Sequence, residues 1–445
     1  MKRRIFLTML FLTTLIGTSL QAQINTKVNL SFVEKVPAWM AENNVPAVGI
    51  GIIEDGKIKY IKVLGDLKKG VPAPDNTIFN IASMTKPVVA ILTLKLVESG
   101  QWNLDEPLAK YWIDPDVAND PMHKKLTTRH VLTHQSGFTN WRWQNSTKKL
   151  IFFSEPGTQY QYSGEGFVYL GHALERKFKK SLVELADSIL FKPIGMKDSR
   201  LYWDNNMDES RFAFWHDAKG NLYDPSTPKD RGVNAAGSLL TTTEDYCRFV
   251  IDVIAGAGLA PAIYNDMITP HVKLSKHDAR GLGWGVESDL PNGEYALQHA
   301  GGDRGVQTMC IFLPKSKRGI VILTNGDNGM FVFRNVIKES IDIGQTLLEY
   351  IYNSKTHNIL ILSDEVLEHY AGNYIDSYGR NLTIIKEDGA LKISGTGVPT
   401  IKLYPETENK FFPKEIEVQF EFTTSDSLII KVDGGKIDCT AKKVK

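Results

Sequence analysis

Ser83 and Lys86, in the stretch NIASMTKPVV from Asn80 to Val89, stand three residues apart, so on one turn of helix the amine would reach the hydroxyl. A serine hydroxyl is a poor nucleophile near neutral pH. It needs a base within hydrogen-bonding distance and donors aimed at the oxyanion that develops on the attacked carbonyl. Lysine serves as that base only where burial or a neighbouring cation lowers its pKa enough to populate the free amine. A helix start would add backbone N–H groups and the positive end of the peptide dipoles. The spacing alone is not specific: Ser146 with Lys149 and Ser226 with Lys229 share it. A capping serine followed by a surface lysine is its common fate.

The elements that would position such a pair are visible on either side of it. Two β-rich runs from Ala47 to Gly65, joined at Glu54-Asp55-Gly56, predict an antiparallel hairpin. Pro87 to Glu98 places its apolar residues mostly at helical spacing and stops before Gly100, so Ser83 precedes or opens a buried helix. Residues from about 105 to 257 mix helical stretches with turn-rich loops, Ser181 to Leu190 being one expected helix. Strand-like runs return at Tyr295 to His299, Val306 to Phe312 and Ile320 to Thr324, and a helical stretch follows over Val332 to Tyr352. Strands early, helices in the middle and strands late predict an α+β domain, an antiparallel sheet closed by both ends of the segment with a helical cluster alongside. From about Leu360 the pattern changes to short alternating strands, with a turn at Asp388-Gly389 and Ile416, Val418, Phe420 and Phe422 alternating with polar residues. This predicts a small separate all-β domain whose apolar residues fill its own core.

With 445 residues and a net charge of +1, the chain is long enough for two domains and has no basic excess that would serve nucleic acid. Its first residues, MKRRIFLTMLFLTTLIGTSLQAQ, join a basic start at Lys2 to Arg4 to an apolar run from Ile5 to Ile16 and small or polar residues up to Ala22. They have the form of a cleavable signal peptide, shorter in its apolar run than the ~20 residues of a spanning helix and without a cysteine to take a lipid. The expected division is a signal peptide over 1–22, a first domain over 28–355 and a β-domain over 360–445. The mature chain is expected in the periplasm or secreted, with no integral membrane segment. Cys247, Cys310 and Cys439 lie far apart, form neither a zinc pattern nor a disulfide framework, and are expected as buried thiols.

The segments around Ser83 carry a resemblance. IFNIASMTKPVVA is followed by LTTRHVLTHQSGF (Leu126 to Phe138), EPGTQYQYSGEGFVYLG (Glu155 to Gly171), LFKPIGMKDSR (Leu190 to Arg200), AAGSLLTTTEDYCRF (Ala235 to Phe249) and QHAGGDRG (Gln298 to Gly305). In this order they resemble the serine β-lactamase and penicillin-binding-protein superfamily, in the branch of class C β-lactamases, D-alanyl-D-alanine carboxypeptidases, D-aminopeptidases and esterases. The resemblance spans about Val33 to Tyr352. It implies that Ser83 is the acylated nucleophile, Lys86 its proton partner, and Tyr162 a general base or proton relay whose phenol is made acidic by two nearby cations. It also implies that His299-Ala300-Gly301 occupies the place of the family's Lys-Thr-Gly strand, and that the backbone N–H groups of Ser83 and Gly302 form an oxyanion hole. His134 falls in a segment that is structural in the family and is expected to be a satisfied loop histidine. The β-domain resembles the lipocalin-like extension of many members. No metal cluster is visible, and acyl transfer by this route needs no cofactor.

Three departures bear on the substrate, a small molecule or short peptide. Tyr162-Ser163-Gly164 lacks the asparagine of the family's Tyr-x-Asn, Ala300 lacks the usual threonine hydroxyl, and His299 replaces a lysine with a group charged only partially near pH 7. Arg304 is a candidate carboxylate anchor and Glu165 a candidate amine partner. The resulting expectation is an exported serine hydrolase acting on an ester or small amide. The alternatives are a D,D-peptidase or D-aminopeptidase on peptidoglycan-type peptides, a β-lactamase, or a binding protein that keeps the fold without turnover.

Overall fold

The computed structural model describes residues 30–352, 359–413, 418–432 and 436–444; the expected signal segment and Ile416 lie outside them. Strands β1 (Ala47–Glu54) and β2 (Lys57–Lys68) form the expected hairpin, and its turn places Asp55 and Gly56 at φ of 53° and 69°. Both turn residues are left-handed, the conformation a tight two-residue hairpin needs. In chain order follow β3 (Val71–Pro72), β4 (Ile78–Asn80), β5 (Leu240–Thr242), β6 (Val272–Lys273), β7 (Asp278–Arg280), β8 (Gly285–Leu290), β9 (Glu294–Asp303), β10 (Val306–Leu313) and β11 (Arg318–Thr324). Nine of these make one antiparallel sheet in the order β3-β2-β1-β11-β10-β9-β8-β7-β6, while β4 and β5 pair as a separate ribbon. Because β1 pairs with β11, from Val48 opposite Thr324 to Ile53 opposite Gly319, the two ends of the domain close its sheet.

The alternation along β1 assigns its two faces. Val48, Ile50 and Ile52 pack with Phe32, Val36, Val332 and Val336 on one side, and Ala47 and Ile53 join the helical cluster on the other. On the first side lie α1 (Val36–Glu42) and two late helices, Gly329–Ser340 and Gly344–Tyr352. These two correct the single helix expected over Val332 to Tyr352. Ile341 is extended, and Gly344 lies so close to the first helix that a Cβ there would be 2.1 Å from the Ile337 carbonyl.

On the second side lie α2 (Thr85–Glu98), α3 (Thr128–Leu132) and α4 (Gly164–Phe178). The helix expected over Ser181 to Leu190 is a capped α-helical turn, Leu182–Ala186, that widens into a π-helical one, Asp187–Phe191. Cys247, Cys310 and Cys439 are all buried, outside any disulfide.

The C-terminal region is a closed antiparallel barrel of eight strands, from Gly372–Asp376 to Lys436–Lys443. Its inward residues, among them Leu382, Ile393, Leu403, Phe411, Phe420 and Phe422, form a buried cluster of their own. Closure removes the free edges that eight short strands would otherwise expose. No helix among the described residues is long and apolar enough to cross a membrane.

Candidate active site

Ser83 sits in a single 3₁₀ turn, Ala82–Met84, between the end of β4 and the start of α2. The local sequence explains the turn. The Ala82 N–H donates to Asn80 Oδ1 at 2.9 Å, which holds Ala82 at φ 47°, a left-handed position that costs a non-glycine residue about 1–2 kcal/mol. Thr85 Oγ1 donates to the Ala82 carbonyl at 2.7 Å and accepts the Leu239 N–H at 3.0 Å, tying the turn to β5 and its approach. Pro87 falls in the first turn of α2, where a missing N–H removes no intrahelical bond.

From this turn Lys86 folds back so that its Nζ donates to Ser83 Oγ at 2.9 Å and to the Ala236 carbonyl at 2.9 Å. The Lys86 side chain is fully buried, and its Nζ lies 4.8 Å from the centre of the Tyr162 ring. Burial lowers the amine to about 7, with Asp303 opposing the shift. The Tyr162 hydroxyl is hydrogen-bonded to Ser83, and burial raises it to about 12 against the pull of Ser83 and Arg280. The expected acidic phenol is therefore corrected: Tyr162 keeps its proton at neutral pH. Beside it, His299 Nδ1–H donates to the Ala300 carbonyl at 2.6 Å. Burial and the adjacent Lys86 push His299 down to about 3, so it is neutral, not partially charged, near pH 7.

Strand β9 passes directly beside the nucleophile turn because Gly301 has no side chain. A Cβ there would lie 2.2 Å from the Ile81 carbonyl, the atom to which Thr308 Oγ1 donates at 3.0 Å. Ser83, Tyr162, His299, Ala300, Gly301 and Gly302 all line one open cavity of about 1210 Å³.

With this geometry in place, the family is decided by the match of residues 32–339 to the family model described as Beta-lactamase. The chain belongs to the Beta-lactamase family. It is 24% identical over 436 residues to penicillin-binding protein 4* of Bacillus subtilis (strain 168), covering 88% of this chain and 94% of that one. Esterase EstB of Burkholderia gladioli is 26% identical over 319 residues, covering 58% of this chain and 79% of the esterase. Among solved structures, the octameric penicillin-binding protein homologue from Pyrococcus abyssi superposes with a TM-score of 0.63 at 21% identity, over 92% of this chain and 100% of the other. Membership in the Beta-lactamase family leaves the reaction and the substrate to be argued from the chain's own site.

Within that family frame, several expected site residues stand differently. Arg304 is exposed in the β9–β10 turn, outside the cavity lining, with its guanidinium 5.4 Å from the Tyr223 ring centre. Its guanidinium packs on Tyr223, and Arg304 is not among the residues that line the cavity with Ser83. Glu165 is no free partner for an amine. Arg142 donates to it from its backbone N–H at 3.0 Å, from Nε at 3.0 Å and from Nη2 at 2.8 Å, and also reaches Asp114 at 2.8 Å and Asp116 at 3.2 Å. Gly164 is a necessity of space, since a Cβ would lie 2.6 Å from the Trp141 indole.

His134 is a satisfied loop histidine, its Nδ1 accepting the Ser163 N–H at 3.1 Å, but it is also part of the site wall, with its ring centre 4.3 Å from that of Tyr162. Burial, Lys86 and His299 hold it well below the usual histidine range.

Two cations that line the cavity were not legible in spacing. Arg231 pairs with Asp303 and lies 4.5 Å from the Trp215 ring centre. Arg280, on β7, bonds Asp278 and the Ala279 carbonyl; burial works against its charge, but Tyr160 and Asp278 more than offset that. Behind it, burial and Asp278 push the Glu287 carboxyl well above the carboxylate range, and Gln298 donates to it at 3.2 Å.

Proposed function

We propose that this protein is a serine acyl hydrolase that cleaves an ester or small amide through an acyl-enzyme on Ser83. The observation that carries the reading is the 2.9 Å contact of Lys86 Nζ with Ser83 Oγ at a buried position where the amine comes down to about 7. Lys86 takes the Ser83 proton as Oγ bonds to the substrate carbonyl carbon. Tyr162, still protonated, gives its proton to the leaving oxygen or nitrogen as that bond breaks, and Lys86 returns a proton to the phenolate. Water then attacks the acyl-enzyme with its proton passing back along the same groups. The Ser83 and Gly302 N–H groups are assigned to the oxyanion.

The substrate follows from what the wall lacks. His299 is neutral and offers Nε2 as an acceptor, Ala300 carries no hydroxyl, and position 164 carries no amide. Each lost hydrogen bond is worth ~0.5–1.5 kcal/mol, rising to about 1.5–3 where a charge is involved. Together they disfavour a β-lactam or a peptide carboxylate by one or more powers of ten. We place the hydrolase in residues 28–355 with the barrel appended over 360–445, and its action in the periplasm or outside the cell on the strength of the basic and apolar start.

The test is hydrolysis of a short-chain nitrophenyl ester and of a chromogenic cephalosporin by the protein and by Ser83→Ala. Ester turnover that vanishes in Ser83→Ala, with slow cephalosporin cleavage, is the expected result. A serine-directed phosphonate that labels another residue would overturn the assignment, and release of D-alanine from a D-Ala-D-Ala peptide would move the substrate to cell-wall peptides.

A further inference from the structure

Position 164 opens the first turn of α4, two residues after Tyr162, and its glycine backbone has an ordinary negative φ. The glycine is there for room. The Cη2, Cζ2 and Cζ3 atoms of Trp141 would lie 2.6, 2.8 and 2.9 Å from any Cβ at this position. The edge of the indole thus takes the volume into which a side chain at 164 would project.

The indole is held there from both sides. The Gly164 N–H donates to the Asn140 carbonyl and to its Oδ1, at 3.1 and 2.8 Å, and the Glu165 N–H donates to the same carbonyl at 3.0 Å. On the far side Arg142 is locked to Glu165, Asp114 and Asp116, and the Trp141 N–H donates to Gln144 Oε1 at 3.1 Å. Trp141 and Trp143 line the same cavity as Ser83. Where an amide would offer a donor and an acceptor to the acyl side of a substrate, this chain offers an indole.

We propose that Trp141 is a specificity-determining residue, selecting substrates whose acyl group is flat and apolar, an aryl or arylalkyl ester, over those with a short or acylamino acyl group. The inference rests on the acyl-hydrolase reading of Ser83. A planar group against the indole buries apolar area and gains a ring contact, which a methyl group does not. An acylamide placed there would find no side-chain donor at position 164.

The experiment compares kcat/KM for p-nitrophenyl phenylacetate with that for p-nitrophenyl acetate, whose leaving groups are identical. In the unaltered protein the ratio is expected to favour phenylacetate. In Trp141→Ala it falls about tenfold, while Trp141→Phe keeps most of it. Trp141→Leu, apolar but not planar, lowers it too and carries the test if the alanine variant does not fold. Gly164→Asn is expected to lose activity by displacing the indole, and Trp141→Ala/Gly164→Asn to regain part of it.

An unaltered ratio in both Trp141→Ala and Trp141→Leu, or no preference for phenylacetate at the start, overturns the inference while Ser83-dependent acetate turnover leaves the hydrolase reading standing. Loss of Ser83 dependence for both esters overturns the two together.

Discussion

At the scale of single residues, proton positions divide the work between Lys86 and Tyr162. With Lys86 near 7 and Tyr162 near 12, kcat/KM is expected to rise with pH through about 7 and to show no separate step near 6.5, since both nearby histidines are already neutral there. A pH–rate profile of ester hydrolysis checks this. Lys86→Met is expected to reduce kcat about 10²–10⁴-fold. Tyr162→Phe has a sharper signature: it removes the donor to the leaving group, so the loss is large for an alkyl ester or amide and small for a nitrophenyl ester, whose leaving group needs no proton.

The same shifts appear in stability. His134 and His299 are held below their unfolded value of about 6.5, so the unfolded chain binds more protons as pH falls through that value and stability drops. Lys86 acts in the same direction between about 7 and its unfolded value of ~10.4. A Tm that climbs from pH 5 to pH 8 is expected from thermal melts.

At the scale of elements, the site depends on two close approaches. Gly301→Ala would drive a methyl group into the Ile81 carbonyl at 2.2 Å, and β9 must move away from the Ser83 turn. The expected result is a loss of about 1–3 kcal/mol in denaturant melts, together with loss of ester hydrolysis. Arg142 fastens the loop carrying Trp141 to the start of α4. Arg142→Ala would leave the nearly buried carboxylates of Asp114 and Glu165 without their cation, at a cost of about 3 kcal/mol.

At the scale of the whole molecule, the barrel reaches the rim of the cleft. Tyr378, in the turn between its first two strands, meets the half-exposed Trp143 edge-on at 5.5 Å between ring centres. Two further residues fasten it, the Gly397 N–H to Tyr223 Oη at 3.3 Å and, from a barrel strand, the Thr400 N–H to Asn328 Oδ1 at 2.9 Å. Tyr378→Ala removes the ring contact with Trp143 and the stacking of the Arg380 guanidinium 4.9 Å from the Tyr378 ring centre, so stability is expected to change by about 1 kcal/mol. KM for a bulky ester is expected to change more than kcat, because the chemistry at Ser83 is untouched. Steady-state kinetics with esters of graded size measure this.

What the chain alone determined is what is local or periodic. The turn at Asp55-Gly56, the apolar run of α2, the alternation that fills the barrel, and the Ser83–Lys86 spacing all act over a few residues, and each is found where the sequence places it. The order of the six segments carried the family for the same reason: it is a property of the string. Only the tertiary structure decided the charge on His299, the direction of Arg304, the capture of Glu165 by Arg142, and the indole of Trp141 against Gly164. Each of these depends on burial or on a distance between residues 23 to 213 positions apart in the chain, as from Gly164 back to Trp141 or from Lys86 forward to His299. Desolvation and close packing act through space, so the residues that tune this site are neighbours only after folding.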